Sequence, residues 1–276
     1  MVDKLNFYNN FLSKQINKQM ITLKSPQEIK IMRSAGKIVG DLLKTLGGII
    51  RPGITTLELD KFAEDFILSR NGKPAFKGYV STFKKSYPTT LCTSVNESIV
   101  HEIPSRRVLK DGDIISIDVG VLYKGYYGDT AWTFPVGGID AHAQKLIKVT
   151  QEALRRGINQ ARDGNRLFDI GNAIQSYAEK NGFSVVREFT GHGIGTQLHE
   201  EPAVLNFGPP HRGPKLKSGM TIAIEPMITT GTGRAKILSD HWTAVTLDGK
   251  LCAHFEHTIA ITNSTPEILT LPSEEK

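Results

Sequence analysis

The sequence predicts an α+β fold of two pseudo-symmetric helix-helix-strand-strand halves around a central antiparallel sheet. The main observation is an internal repeat, because the segment LKDGDIISID at 109–118 returns as LKSGMTIAIE at 216–225. Two further pairs accompany it: HEIP at 101–104 with HEEP at 199–202, and GDT at 128–130 with EHT at 256–258. A core requires only that apolar residues recur, so acids and histidines that recur on apolar strands indicate a site shared by the two halves.

The composition is that of an ordinary globular protein. Of the 276 residues, 39% are hydrophobic and 22% are charged, with a mean hydropathy of −0.22. No apolar run reaches the roughly 18 residues of a membrane span. The two cysteines, Cys92 and Cys252, have no CxxC spacing, and there is no N-terminal segment of secretory type. We therefore expect a cytoplasmic protein with reduced thiols and no membrane partner.

The net charge of +6 and the isoelectric point near 9.2 raise the question of a polyanionic partner. The basic residues are scattered, however, and no motif combines them with aromatic residues. We expect no specific nucleic-acid partner, although a weak attraction to ribosomal RNA is compatible with this charge.

The first half begins with two helices. Residues 1–20, rich in Asn, Lys and Gln, are expected to form a flexible tail before a single domain at 21–276. Ser25-Pro26-Gln27-Glu28 is typical of a capping box at a helix start, and Gly47-Gly48 is expected to end that helix. A turn at Pro52-Gly53 leads into the second helix, which starts at Thr55-x-x-Glu58 and stops before Asn71-Gly72.

The second half follows the same order. Helices are predicted at 144–161 and 167–180, Asp163-Gly164 takes the place of Pro52-Gly53, and Asn181-Gly182 takes that of Asn71-Gly72. Strands follow each helix pair, so the two halves span about 25–135 and 140–262. This order predicts one sheet with helices on its outer face.

A strand alternation and a hairpin place two carboxylates together in the first half. Apolar residues alternate from Ile115, which puts Asp118 on the opposite, polar face. Lys124-Gly125 is typical of a two-residue hairpin loop, and this loop length pairs Asp129 with Gly120. Asp129 is therefore expected on the face of Asp118, one diagonal step away.

The matching strands of the second half present Glu225 and Glu256. Any one of these carboxylates could equally be a cap or a surface charge. If the halves pair about a pseudo-two-fold axis, however, all four converge and repel one another unless they are neutralised, and two divalent cations supply the matching charge. His192, in TGHGIG at 190–195, is the best candidate for an added imidazole ligand, and it favours Mn, Fe, Co or Zn over Mg or Ca.

Two other histidines, His101 and His199, occupy equivalent positions in the halves, which predicts that both lie at the rim of the site. We expect the remaining five histidines to be structural: His142, His211, His241, His254 and His257. Neither HEIP nor HEEP completes the HExxH zinc motif, and no GxSxG segment supports a catalytic triad.

The assembled motifs resemble the bacterial-type methionine aminopeptidases, in the pita-bread family that also includes proline-cleaving aminopeptidases, prolidase and creatinase. The resemblance covers about 22–265 and depends on the following segments: SVNE at 94–97 before His101, IDV at 117–119, GDT at 128–130, GHGIG at 191–195, HEEP at 199–202, IEPM at 224–227 and FEHT at 255–258. It implies the pita-bread fold and metal ligation by Asp118, Asp129, His192, Glu225 and Glu256.

The activity that this resemblance implies is hydrolytic removal of the N-terminal methionine from nascent proteins with a small second residue. Two divalent ions (Co, Mn, Fe or Zn) would activate the attacking water. His101 and His199 would contact the substrate amide and the developing oxyanion, and Glu225 would also carry a proton. We expect a monomer that meets nascent chains near the ribosome.

The resemblance also implies a methionine pocket, but the sequence departs from the family there. Cys92 and Trp242 match pocket positions, whereas Leu198 stands where bacterial relatives often have Phe. A short aromatic segment is extended here to 79–88. We expect Tyr87 to line the methionine pocket, with Tyr79 and Phe83 as alternatives.

Two rival functions stay open at this point. Proline-specific relatives of the same fold carry an additional N-terminal domain, whereas only about 20 residues precede the repeat here. A non-catalytic binding protein of this fold would be expected to lose ligands, and this sequence retains all five candidates.

Overall fold

The computed structural model describes residues 20–80 and 84–273. The tail predicted at 1–20 therefore lies outside the described residues except for Met20, and so does Phe83, one of the three candidate pocket aromatics. Within the described ranges the chain forms four helices: α1 (Pro26–Ile49), α2 (Thr56–Ser69), α3 (Ala141–Gln160) and α4 (Leu167–Lys180).

Both predicted capping boxes are present. In α1 the Glu28 backbone N–H donates to the Ser25 hydroxyl at 3.3 Å, and the Ser25 N–H donates to the Glu28 carboxylate at 2.7 Å. Thr55 and Glu58 repeat the arrangement at the start of α2. Each box satisfies two backbone N–H groups near the helix start that would otherwise have no partner, so these boundaries follow from local sequence.

Two predicted helix boundaries are wrong by a few residues. Gly47-Gly48 does not end α1, which continues to Ile49, and Gly47 packs against the Phe134 ring, where a Cβ atom would stand 2.7 Å from Phe134 Cε1. The helix α3 starts at Ala141 and not at 144, because the Asp140 carboxylate caps it by accepting from the Ala143 N–H at 2.7 Å. Tertiary packing and an unrecognised cap thus changed the two ends.

The strands are mostly short, and their bounds in chain order are β1 (Lys73–Pro74), β2 (Leu91–Val95), β3 (Ser98–Val100), β4 (Ile114–Tyr123), β5 (Tyr126–Pro135), β6 (Ser184–Val185), β7 (Gly191–Gly193), β8 (Glu200–Val204), β9 (Thr221–Ile224), β10 (Met227–Thr229), β11 (Ala235–Ile237), β12 (Ala244–Thr246), β13 (Cys252–His254), β14 (Glu256–Ala260) and β15 (Glu267–Ile268). The main sheet has the order β1-β4-β5-β14-β9-β7-β8, with β2 beside β4 and β15 beside β14.

The centre of the main sheet confirms the predicted pseudo-symmetry. Strands β4 and β5 form the predicted hairpin, in which Gly120 pairs with Asp129. Strands β9 and β14 form the corresponding pair of the second half, and β5 pairs with β14 in antiparallel register, with Glu256 opposite Ala131. The two halves therefore meet along one strand pair, next to which both candidate acid pairs lie.

Hydrogen bonds from two buried threonines join the two halves along the β5–β14 pair. The Thr258 hydroxyl donates to the Asp129 carbonyl at 2.8 Å, and the Thr130 hydroxyl donates to the Glu256 carbonyl at 2.7 Å. Both side chains are completely buried. Because a buried hydroxyl keeps its partner in place, each half holds the backbone of the other half's carboxylate.

Each half has its own hydrophobic core between its helices and the sheet. In the first half, Ile115, Ile117, Val119 and Val121 of β4 pack with α1 and α2. In the second half, residues of α3 and α4 pack with Ile222, Ile224 and Ile259. The alternation predicted for β4 is confirmed, so Asp118 projects from the opposite face. No helix within 20–80 and 84–273 is long and apolar enough to cross a membrane.

Candidate active site

A cavity of about 460 Å³ opens on the sheet face opposite the helices. All eleven residues predicted for the site line it, and they are Tyr87, Cys92, His101, Asp118, Asp129, His192, Leu198, His199, Glu225, Trp242 and Glu256. The cavity is thus the place where the duplicated motifs meet.

The acids and His192 form a tight cluster at the base of the cavity. Atoms of Asp129, His192 and Glu256 that could bind a metal all lie within 4.8 Å of one another. His192 Nε2 is 3.9 Å from Asp129 Oδ2 and 3.6 Å from Glu225 Oε1. The convergence expected from the repeat is therefore present in the structure, while the role of each residue as a ligand stays a prediction.

Burial controls the protonation of the acid cluster. It raises the pKa of Asp118 to about 7 and that of Glu225 to about 8. Burial, and then repulsion from neighbouring carboxylates, raises the pKa of Asp129 and that of Glu256 well above their usual range. Without a compensating positive charge, these groups hold protons at neutral pH.

His192 is oriented as a neutral ligand. Burial, with His199 nearby, lowers the pKa of His192 to about 3. Its Nδ1 lies 2.9 Å from the Gly193 carbonyl, and because a carbonyl oxygen only accepts, Nδ1 carries the proton. The lone pair of Nε2 therefore points at the acids, as in histidines that bind metal.

The cluster fits divalent cations. Asp118 Oδ1, Asp129 Oδ1 and Glu256 Oε1 are buried and have no hydrogen-bond partner in the described part of the chain. Buried carboxylate oxygens nearly always have a partner, so three such atoms at one point indicate an absent positive charge. The set of oxygens with one imidazole nitrogen suits a first-row transition ion better than Ca²⁺.

His101 and His199 lie beside the cluster. The His101 backbone is in the left-handed region with φ of 62°, which is uncommon for a residue other than glycine, and burial lowers its pKa to about 4. His199 Nδ1 lies 3.0 Å from the Tyr79 hydroxyl, and its ring centroid is 4.4 Å from that of His192. Both line the cavity at the edge of the acid cluster, where we expected the substrate.

An apolar pocket adjoins the cluster. Phe76, Tyr87, Cys92 and Leu198 form one buried group, and Trp242 packs against it. The Tyr87 ring meets Trp242 edge-on at 5.0 Å, and its hydroxyl donates to the Leu91 carbonyl at 3.0 Å. Tyr79 also lines the cavity, next to His199, so the two described aromatics of the extended segment have different neighbours.

His254, which was expected to be structural, lies beside the acid cluster. Its ring is buried, and Nε2 lies 3.5 Å from Glu225 Oε2. The spacing of two residues from Glu256 was a usable signal, since residues i and i+2 of an extended segment share a face. His241, also expected to be structural, lines the cavity together with Phe189, which the sequence reasoning did not single out.

Comparison with known proteins agrees with this geometry. Residues 30–263 match the sequence model of metallopeptidase family M24. The chain therefore belongs to metallopeptidase family M24.

Within that family, the chain is similar over nearly its whole length to bacterial methionine aminopeptidases. Methionine aminopeptidase 1 of Bacillus subtilis is 53% identical over 251 residues, which are 91% of this chain and 99% of that protein. The methionine aminopeptidase of Clostridium perfringens is 54% identical over 252 residues, again 91% of this chain and 99% of that protein. The crystal structure of the Thermotoga maritima enzyme has a TM-score of 0.88 at 45% identity, covering 91% of this chain and 100% of that one. The predicted family and its pita-bread fold are confirmed.

Proposed function

We propose that this metallopeptidase removes the N-terminal methionine from nascent polypeptides whose second residue is small. The observation that carries the proposal is the junction of two features in one cavity. A pocket of aromatic and aliphatic side chains, with Cys92 at its wall, opens directly onto the buried acid cluster. The pocket suits a long unbranched apolar side chain, and the cluster suits hydrolysis of the bond beside it.

In this proposal five residues hold two divalent ions, namely Asp118, Asp129, His192, Glu225 and Glu256. The orphaned oxygens of Asp118, Asp129 and Glu256 support these three as ligands, and Glu225 Oε1 lies 3.6 Å from His192 Nε2 beside them. The imidazole of His192 supports Co, Mn, Fe or Zn as the metal. When bound, the ions supply a Lewis acid for the scissile carbonyl and an activated water.

The protein's own groups position the substrate and move the proton. We assign the Tyr79 hydroxyl as the donor to His199 Nδ1, 3.0 Å away, which places the ring proton on Nε2 and makes that N–H the donor to the substrate carbonyl. His101 is the second donor, held neutral by its lowered pKa. The Glu225 carboxylate, which lies 3.6 Å from His192 Nε2 in the acid cluster, would accept a proton from the attacking water and return it to the leaving amine.

The cellular setting is part of the same proposal. The substrate is a nascent chain near the ribosome, and the two buried free cysteines support a cytoplasmic enzyme. Every side chain assigned above comes from one chain, so a monomer suffices. The rival proline-specific and non-catalytic functions are not favoured, because relatives that share about half of the residues are methionine aminopeptidases.

The direct test compares two peptide classes on metal-loaded protein. We expect Met-Ala-Ser to be cleaved after methionine, and Xaa-Pro peptides of the same length to be cleaved far more slowly, because the apolar pocket selects the first side chain. The products are resolved by chromatography, with chelated protein as the control. Faster cleavage of Xaa-Pro peptides would favour the proline-specific rival, and no cleavage of either would favour the binding protein.

Substrate selectivity should follow the shape of the pocket. Thioether sulfur packs on aromatic edges for roughly 0.3 to 1.5 kcal/mol, and one misplaced methylene costs about 1 to 3 kcal/mol. We therefore expect norleucine-Ala to be cleaved measurably, and Leu-Ala, branched one carbon earlier, much less. Met-Lys should be slow because the rim at His101 and His199 limits the second residue. The values of kcat/KM for these peptides and Met-Ala check this, and equal values would describe a broad aminopeptidase.

A further inference from the structure

The first described residues, 20–25, contact the segment that carries His199. We call residues 20–25 the strap and residues 196–200 the His199 loop. The Lys24 backbone N–H donates to the Gly219 carbonyl at 2.7 Å, which holds the strap beside the turn before β9. Its side chain then turns inward, towards the His199 loop.

Lys24 and Glu200 form a buried ion pair between the strap and the loop. Their side chains are only 5% and 12% exposed. The Lys24 ammonium donates to the Glu200 carboxylate, and also to the Thr22 hydroxyl at 2.7 Å. The Thr22 hydroxyl in turn donates to Glu200 at 3.1 Å. The strap thus supplies two donors to one carboxylate.

The same carboxylate organises the His199 loop from within. Glu200 accepts from the Gln197 N–H at 3.1 Å and from the Thr196 hydroxyl at 3.4 Å. Gln197 and Glu200 bracket Leu198, which lines the apolar pocket, and His199, which stands at the acid cluster. The positions of the Leu198 and His199 side chains therefore depend on where the Glu200 carboxylate lies.

Gly195 provides the space for this arrangement. A Cβ atom at this position would stand 2.7 Å from Glu200 Oε1 and 2.8 Å from Lys24 Nζ, so a larger residue would displace the ion pair. The Gly195 carbonyl accepts from the Tyr127 N–H at 2.8 Å, so its backbone is also held by β5. Gly195 and β5 therefore cover the side of the ion pair that faces the main sheet.

A buried charge that loses its partner is costly, and the surrounding chain moves to expose it. Without the Lys24 ammonium, the Glu200 carboxylate would turn towards solvent and release the Gln197 N–H. Since Leu198 and His199 lie between these two residues, the pocket wall and the substrate donor would shift together.

We propose that Lys24, acting through Glu200, is a positioning residue that sets both the wall of the methionine pocket at Leu198 and the substrate contact at His199. The proposal rests on the function proposed above and adds a determinant from the strap, a segment outside the cavity. Lys24 itself touches no substrate.

The test uses Lys24→Met, which keeps the length of the side chain and removes the charge. We expect the Gln197 amide of the metal-free variant to exchange its hydrogen about tenfold faster or more, because its acceptor has moved. We expect kcat for Met-Ala to fall about tenfold at unchanged metal content, since small displacements of groups that contact the substrate lower the rate strongly. The preference for Met-Ala over Leu-Ala should also fall several-fold as the wall at Leu198 moves.

Arg33→Met is the control for the loss of a positive charge from an ion pair. It breaks the pair between Arg33 on α1 and Glu267 on β15 at 2.5 Å, whose side chains are 38% and 36% exposed, without touching the His199 loop. Because exposed ion pairs contribute at most about 1 kcal/mol, it should change the melting temperature little and leave the exchange at Gln197 and the Met-to-Leu preference unchanged. Thr22→Val, a nearly isosteric change that removes one donor to Glu200, should reproduce the Lys24→Met pattern more weakly and covers the case in which the latter fails to fold.

A Lys24→Met protein with wild-type exchange at Gln197 and wild-type Met-to-Leu preference would overturn the proposal, as would a loss of rate that merely tracks a loss of metal. The exchange comparison needs neither metal nor substrate. It therefore still tests the link between the strap and the loop if the wild-type protein fails to cleave Met-Ala, a result that would instead reject the proposed function.

Discussion

Metal removal should lower the melting temperature of the protein by on the order of 10 °C, and two equivalents of Mn²⁺ or Co²⁺ should restore it. The reason is the buried cluster of Asp118, Asp129, Glu225 and Glu256, whose carboxylates repel one another when ionised. One oxygen each of Asp118, Asp129 and Glu256 also lacks a hydrogen-bond partner in the described part of the chain. Cations that bind the native cluster and not the unfolded chain add their binding free energy to stability. Differential scanning calorimetry on chelated and reloaded protein measures the effect.

Asp118→Asn is the matched control, because it removes one of the proposed ligand charges with almost no change in size. Its melting temperature should respond less to metal than that of the wild type. A wild-type melting temperature indifferent to both metal and chelator would contradict the two-metal site.

The increase in stability that metal binding gives should become larger as the pH rises from about 5.5 to 7.5. Burial raises the pKa of Asp118 to about 7 and that of Glu225 to about 8, whereas such groups in an unfolded chain titrate near pH 4. Over this interval the native metal-free protein binds more protons than the unfolded chain, so its stability falls as the pH rises. Ligation requires deprotonated carboxylates, so metal binding also strengthens with pH. Calorimetry at both ends of the range checks this, and a gain that shrinks with pH would contradict it.

His199→Ala should lose roughly 10²- to 10³-fold in kcat while keeping its metal, as expected when one donor to a developing oxyanion is removed. The imidazole is held by Tyr79 at the edge of the cluster, and we assign it to the substrate and not to the ligands. Asp118→Ala should instead lose metal, with activity lost as a consequence. Metal content measured by atomic absorption beside steady-state rates separates the two.

His142→Ala controls for the loss of an imidazole as such. His142 lies on α3, with its ring 5.6 Å from Phe183, and does not line the cavity. It should change neither rate nor metal content. A His199→Ala protein that purifies without metal would overturn our assignment of His199.

Much of the site's geometry was predictable because it depends on local rules. The two-residue loop at Lys124-Gly125 allows one register for the hairpin, and that register alone placed Asp129 on the face of Asp118. The repeat then predicted that Glu225 and Glu256 would meet them, and the pairing of β5 with β14 brings all four to one cavity. Short-range geometry combined with symmetry was therefore sufficient for this part.

Other features were not predictable, because they depend on which distant segments become neighbours. Gly47-Gly48 is typical of a helix end, yet the Phe134 ring packs on α1 there and the helix continues. His254 lay in a stretch where every second residue shares a face, but only the packed structure shows Glu225 opposite its Nε2. Residues Tyr79 and Tyr87 were equivalent candidates in sequence and acquired different neighbours in the fold.

Capping, hairpin register and strand alternation act over a few residues, so the duplicated architecture, the starts of α1, α2 and α4 and the identities of the converging acids followed from the amino-acid sequence. The tertiary structure alone decided how the His199 loop is held. Lys24 and Glu200 are 176 residues apart, and no periodicity links them. Their pairing arises because burial of two charges is tolerable only where each finds the other, and that requirement is met by the path of the whole chain.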